Sequence, residues 1–192
     1  MAKGKALFLD RDGTINVDPD FLLTAEQIEL IPGSAEAMAR ARRAGYKLVC
    51  VTNQSAVARG LLTEETLAAI HQALQERLAA CGAALDAIYY CPHLEGALIA
   101  AYDRTCDCRK PKPGLVLRAA DELGVEPSRS WTIGDRRRDI EAGRAAGTRT
   151  AFVATGPEPD RPVEADVTAA NLAEAIDRIL ALESRGSEPE NQ

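Results

Sequence analysis

Short apolar runs alternate with longer stretches of helical periodicity along the chain, and that alternation predicts a parallel sheet wrapped by helices. The first apolar run, residues 6–9, reads as a strand, and the mixed, proline-containing residues 16–29 read as a flap or loop. Pro32-Gly33-Ser34 opens a helix to about Ala44, with Gly45 as its stop. Residues 47–52 form a second strand, 53–60 a polar loop, and Thr63-Glu-Glu-Thr66 caps a long helix reaching about Cys81. A third strand at 86–90 is followed by irregular chain to Pro113. Beyond it come a helix at 114–123, a strand at 130–133, a helix at 139–146, a strand at 149–154 and a final amphipathic helix at 172–182. Residues 184–192 are polar enough to be a disordered tail. With no internal repeat and no linker, the expected architecture is α/β, one doubly wound and mostly parallel sheet in a single domain over residues 1–183.

The bulk numbers narrow the functional classes. A chain of 192 residues with 46% hydrophobic and 27% charged positions has room for a substantial core. A net charge of −6, no basic block and 4% aromatic residues argue against a nucleic-acid surface. No apolar run reaches membrane-spanning length and the first residues lack a secretion signal, so a cytoplasmic location without membrane contact is expected. Five cysteines, an odd number in a reducing compartment, suggest metal binding or packing rather than a disulfide frame.

Chemistry collects at the strand ends. The first strand runs into Asp10-Arg11-Asp12-Gly13-Thr14, two carboxylates one residue apart beside a glycine that can turn the chain. Two such acids at the carboxyl end of a buried strand repel each other unless a cation intervenes, and a hard divalent ion such as Mg2+ suits oxygen ligands. The bland alternative is an acidic turn. The second strand ends in Thr52-Asn53, the fourth in Gly134-Asp135 with Asp139 after it, and Arg109-Lys110-Pro-Lys-Pro-Gly114 precedes a helix. A parallel sheet brings all of these to one edge, where carboxylates, a hydroxyl and an ammonium together equip a site for phosphoryl transfer.

A second set of donors is Cys91-Pro-His93 followed after twelve residues by Cys106-Asp-Cys108. Three thiols and an imidazole within 18 residues of irregular chain, in a protein with two histidines, suit a closed tetrahedral zinc site. Such a site would be structural and would fix the chain immediately before Arg109 and Lys110. Cys50, Cys81 and Trp131 read as core residues, and His71 as surface or packing.

In order, DRDGT, VTNQS, RKPKPG and GDRRRD resemble the haloacid dehalogenase (HAD) superfamily of phosphatases, over residues 5–156. Within it the chain looks like the branch of heptose bisphosphate phosphatases and histidinol-phosphate phosphatases. The resemblance implies that Asp10 is a nucleophile and Asp12 a general acid and base. It also implies that Asp10, the Asp12 carbonyl and Asp135 hold Mg2+, and that Thr52 and Lys110 bind phosphoryl oxygens. Asn53, Gln54 and Ser55 would line the same loop, Arg109 and Arg136 would meet a polyanionic substrate, and the flap residues Asp18, Pro19, Asp20 and Phe21 would contribute specificity. A zinc loop at 91–108 belongs to the same pattern.

The implied reaction is removal of the 7-phosphate of a heptose 1,7-bisphosphate, through an aspartyl-phosphate, on the route to heptose-containing glycans such as lipopolysaccharide. Histidinol phosphate or another small sugar phosphate is the alternative substrate, and a zinc-stabilised binding module without activity the alternative class. Three departures concern the substrate: Pro19-Asp20-Phe21 stands where the family has His-Gly-Tyr, Ala56 where TNQSG has glycine, and Leu94-Glu95 where His-Pro commonly follows the Cys-Pro-His run. The 39 residues between Asp12 and Thr52, and the 57 between Thr52 and Lys110, leave no room for a cap domain. An open site in a monomer is expected.

Overall fold

A computed structural model describes residues 3–156 and 164–186. Its centre is a six-stranded sheet in the order β3-β2-β1-β4-β5-β6, and every neighbouring pair is parallel. The strands are β1 (Lys5–Leu9), β2 (Tyr46–Asn53), β3 (Ala87–Cys91), β4 (Trp131–Gly134), β5 (Arg149–Val153) and β6 (Val167–Ala169). The helices are α1 (Ser34–Arg43), the short α2 (Ser55–Ala58), α3 (Glu64–Ala80), α4 (Gly114–Leu123), α5 (Arg137–Ala145) and α6 (Leu172–Gly186). The strand order reverses direction between β1 and β4, which is the switch point where such sheets open a crevice at their carboxyl ends.

Burial explains why the strands read as unbroken apolar runs. Ala6, Leu7, Phe8 and Leu9 are all withdrawn from solvent, because helices cover both faces of the sheet. Leu7 and Leu9 join one core with Met38, Leu48, Leu74, Trp131 and Ile176, while Phe8 joins the other with Val49, Val51, Leu115 and Val116. Each such side chain contributes about 1.5–3 kcal/mol by leaving water.

Three elements differ from the sequence reading. The strand Val167–Ala169 was not anticipated: three residues at a sheet edge, with Thr168 exposed between two buried neighbours, are too short to show a period. The polar loop after β2 contains α2, whose Ala56, Val57 and Ala58 are buried. The final helix runs to Gly186, past the expected start of the tail, and residues 187–192 lie outside the described part. The flap is irregular as expected, yet Ile15, Leu22 and Ile28 anchor it in the core. Cys81 corrects another expectation, since it is exposed beyond the end of α3. No separate cap occurs among the described residues, and no helix is long and apolar enough to cross a membrane.

Candidate active site

The carboxyl ends of β1, β2 and β4 meet at a pocket of about 200 Å3. Asp10, Asp12, Asp18, Asp20, Phe21, Thr52, Asn53, Gln54, Ser55, Arg136 and Arg138 are among its lining residues. Lys110 lies behind it, buried, with its Nζ 2.8 Å from Asp10 Oδ1, 2.7 Å from Asp139 Oδ1 and 2.7 Å from the Val51 carbonyl. Burial alone would lower the lysine pKa, but the carboxylates of Asp10 and Asp139 outweigh it and hold the ammonium charged, above the ordinary lysine range. The backbone of Lys110 is fixed just as firmly. Asn53 Nδ2 donates to its carbonyl at 3.1 Å, and Asn53 Oδ1 accepts its N–H at 3.0 Å.

Asp135 is the least satisfied group of the site. Both of its carboxylate oxygens are buried without a hydrogen-bond partner, although Arg136 Nε lies 3.0 Å from one of them. Burial, with repulsion from Asp10 and then Asp139, pushes its pKa up to about 8. A Cβ on Gly13 or Gly156 would collide with that carboxylate, and Gly13 also has φ +78°, so glycine is required for the chain to pass so close.

Asp10, Asp135 and Asp139 bring their oxygens within 4.8 Å of one another. Three acids facing one ammonium, with both Asp135 oxygens accepting no hydrogen bond, fit a hard divalent cation. Asp139 is the member of the three already partnered on both oxygens. Its Oδ1 pairs with Lys110, and its Oδ2 accepts the Arg136 N–H at 3.0 Å at the start of α5.

Asp12 is surrounded by donors. Arg11 grips it with Nε to Oδ1 at 2.9 Å and Nη2 to Oδ2 at 2.7 Å, Asn16 Nδ2 donates at 2.9 Å and Gln54 Nε2 at 3.0 Å. Burial would raise this carboxyl, but the Arg11 charge and these hydrogen bonds hold it below the usual carboxylate range. Gln54 Nε2 also donates to Thr52 Oγ1 at 2.9 Å, so its amide serves the protein network.

Of the other residues named from the sequence, Arg136 donates to Asp18 Oδ2 at 2.9 Å and ties the flap to the end of β4. Asp20 takes φ +68°, a conformation that aspartate tolerates better than most residues, and its N–H donates to Asp18 Oδ1 at 3.0 Å. That explains how an aspartate occupies the place where the resemblance has glycine. Pro19 and Arg109 do not line the pocket. Arg109 instead donates to the His93 carbonyl at 3.1 Å, bracing the cysteine loop.

The sequence reading gave no role to Arg11, Arg138 or Gly156. It assigned His71 to surface or packing, and the side chain is buried against Arg11. An arginine inside an otherwise buried run, and a histidine on the apolar side of α3, were the available signals.

In the cysteine loop, His93 Nδ1 lies 3.7 Å from Cys91 Sγ and 3.3 Å from Cys108 Sγ, and Cys106 Sγ lies 3.5 Å from Cys91 and 3.2 Å from Cys108. A tetrahedron of 2.3 Å zinc–sulfur bonds has edges of about 3.8 Å, so the four donors are gathered at the spacing of one ion and could hold zinc.

A protein of Pasteurella multocida named D-glycero-beta-D-manno-heptose-1,7-bisphosphate 7-phosphatase is 45% identical over 154 residues, which cover 79% of this chain and 83% of that protein. The chain belongs to the heptose-1,7-bisphosphate 7-phosphatase family. The HAD-hydrolase-like family model matches residues 107–179. Solved structures agree with that family. D,D-heptose 1,7-bisphosphate phosphatase from B. bronchiseptica, complexed with magnesium and phosphate, is 34% identical with a TM-score of 0.81, over 93% of this chain and 99% of that one. A putative HAD-like phosphatase from Mesorhizobium loti is 33% identical with a TM-score of 0.84, over 100% of this chain and 91% of that one.

Proposed function

We propose that this chain removes the 7-phosphate of D-glycero-D-manno-heptose 1,7-bisphosphate, in the cytoplasm and as a monomer, supplying heptose for surface glycans. The observation that carries the chemistry is the buried Asp10 carboxylate, held by Lys110 beside an Asp135 carboxylate whose oxygens accept no hydrogen bond. The substrate rests on kinship with the named heptose bisphosphate phosphatases.

Asp10, Asp135 and the main-chain carbonyl of Asp12 would hold Mg2+, which when bound neutralises charge on the transferring phosphoryl group. Asp10 Oδ forms a bond to phosphorus while the bond from phosphorus to the sugar oxygen breaks, and that oxygen takes a proton from Asp12. Water then bonds to phosphorus, Asp12 takes its proton, and the bond to Asp10 breaks to release inorganic phosphate. Lys110 stays beside Asp10 throughout, and Thr52 Oγ1 lies at the same rim.

Arg136 is committed to Asp18 and Asp135, whereas Arg138 lines the pocket without a hydrogen bond or ion pair among the described residues. Arg138 is therefore the side chain with donors to spare for the phosphate that stays on the sugar. Steady-state kinetics with magnesium on both heptose bisphosphate anomers and on histidinol phosphate test the reading. A kcat/KM for a heptose bisphosphate well above that for histidinol phosphate is expected, and the reverse order contradicts it.

A further inference from the structure

Arg11 is a large charged side chain wholly removed from solvent. A guanidinium cannot shed its charge, so it has to be compensated where it lies. Two of its contacts go to Asp12 as a two-pronged grip, and Nη2 also donates to Gln54 Oε1 at 3.0 Å. The remaining prong, Nη1, faces His71 Nε2 at 3.2 Å. Because arginine can only donate, His71 must present a lone pair there, which fixes the proton on Nδ1. His71 sits on the buried face of α3 and tilts against the ring of Tyr90 at 5.6 Å. A neutral acceptor thus steadies the guanidinium without competing with Asp12 for its charge.

The consequence falls on Asp12. Four donor contacts, two of them from one rigid planar group, fix both the position and the plane of its carboxylate at the pocket wall.

We propose that Arg11, buttressed by His71 from α3, is a positioning residue that sets Asp12 to take the proton of the hydrolytic water. The proposal rests on the phosphatase reading above. In the step it serves, water's oxygen bonds to phosphorus, one water proton passes to Asp12, and the phosphorus bond to Asp10 breaks, returning Asp10 as a carboxylate. The first half-reaction depends on Arg11 far less when the leaving group departs as a stable anion.

p-Nitrophenyl phosphate supplies such a leaving group and separates the two halves in rapid-mixing experiments on the full magnesium-loaded chain. In His71→Leu the first turnover should keep the wild-type rate, while later turnovers slow by about 10–100-fold, below the full value of a general base. Arg11→Met should show the same split more strongly. His71→Gln, whose amide oxygen can accept from Nη1, should restore turnover. A merely structural role would move both phases together and would not respond to His71→Gln. Wild-type turnover in both His71→Leu and Arg11→Met, or an equal fall of both phases, overturns the proposal. Retention of turnover by Asp10→Asn overturns the reading of the site itself and the assignment of Arg11 with it.

Discussion

Lys110 Nζ lies 2.8 Å from Asp10 Oδ1 across a sequence separation of 100 residues, with both side chains almost completely withdrawn from water. Asp10 is carried by the end of β1, and Lys110 by irregular chain tied down by Asn53 from β2. Strand ends, not sequence neighbours, assemble the site. The ammonium also pairs with Asp139 at 2.7 Å, so one cation lies between two buried carboxylates.

Replacing Lys110 by methionine leaves both acids facing each other. Removing one partner of a buried pair costs about 3–5 kcal/mol, and removing an electrostatic stabiliser lowers kcat by about 10²–10³-fold. Denaturant titration in chelator should show most of that stability loss, and magnesium should recover part of it by taking over the charge between the acids. An unchanged midpoint in chelator would contradict the pairing.

Arg138→Ala should raise KM for the heptose bisphosphate by about tenfold, the size of one charge-assisted hydrogen bond, and leave KM for a simple phosphate monoester nearly unchanged. Equal effects on the two substrates would place Arg138 on the transferring phosphate instead.

Zinc should matter to catalysis at a distance. Cys108 is followed directly by Arg109 and Lys110, and Arg109 is hydrogen-bonded to the His93 carbonyl inside the same loop. Cys106→Ser should lower zinc content, and a displacement of Lys110 by about 1 Å would cost about 100-fold in kcat. Full activity in a protein shown to lack zinc would separate the loop from the lysine.

His71 gives a pH dependence of stability. Burial, reinforced by the Arg11 charge, lowers its pKa to about 3, far below the ordinary histidine value of about 6.5. As pH falls below 6.5 the unfolded chain takes up a proton that the folded chain refuses until near 3, so stability drops across that window. The slope approaches about 1.4 kcal/mol per pH unit well below 6.5. His71→Gln should therefore lose about 2 kcal/mol less than the wild type between pH 7 and pH 5 in urea titrations. Parallel losses would mean that His71 is already protonated in the folded state.

Much of this arrangement is legible in the sequence. Buried strands in a parallel sheet are continuous apolar runs, so their ends can be found, and the chemistry sits at the ends. Asp10, Thr52 and Asp135 follow from that rule alone, and Cys91, His93, Cys106 and Cys108 from donor spacing. What stayed hidden depends on pairing in space. Gln54 and Asn53 read as pocket lining, yet their amides are committed to Asp12 and to the Lys110 backbone. Arg109 reads as a substrate ligand and turns instead to the cysteine loop. Arg11 and His71 stand 60 residues apart, and no periodicity links a turn after β1 to the inner face of α3. The Val167–Ala169 strand was missed because three residues at an edge carry too little pattern.

The most direct test of the central claim is to trap the covalent intermediate. Asp12→Asn, mixed with magnesium and p-nitrophenyl phosphate, whose leaving group needs no proton, and quenched in acid, should yield a peptide containing Asp10 that is heavier by one phosphoryl group, and Asp10→Asn should yield none. A phosphorylated peptide from elsewhere in the chain, or turnover in Asp10→Asn, would contradict the account.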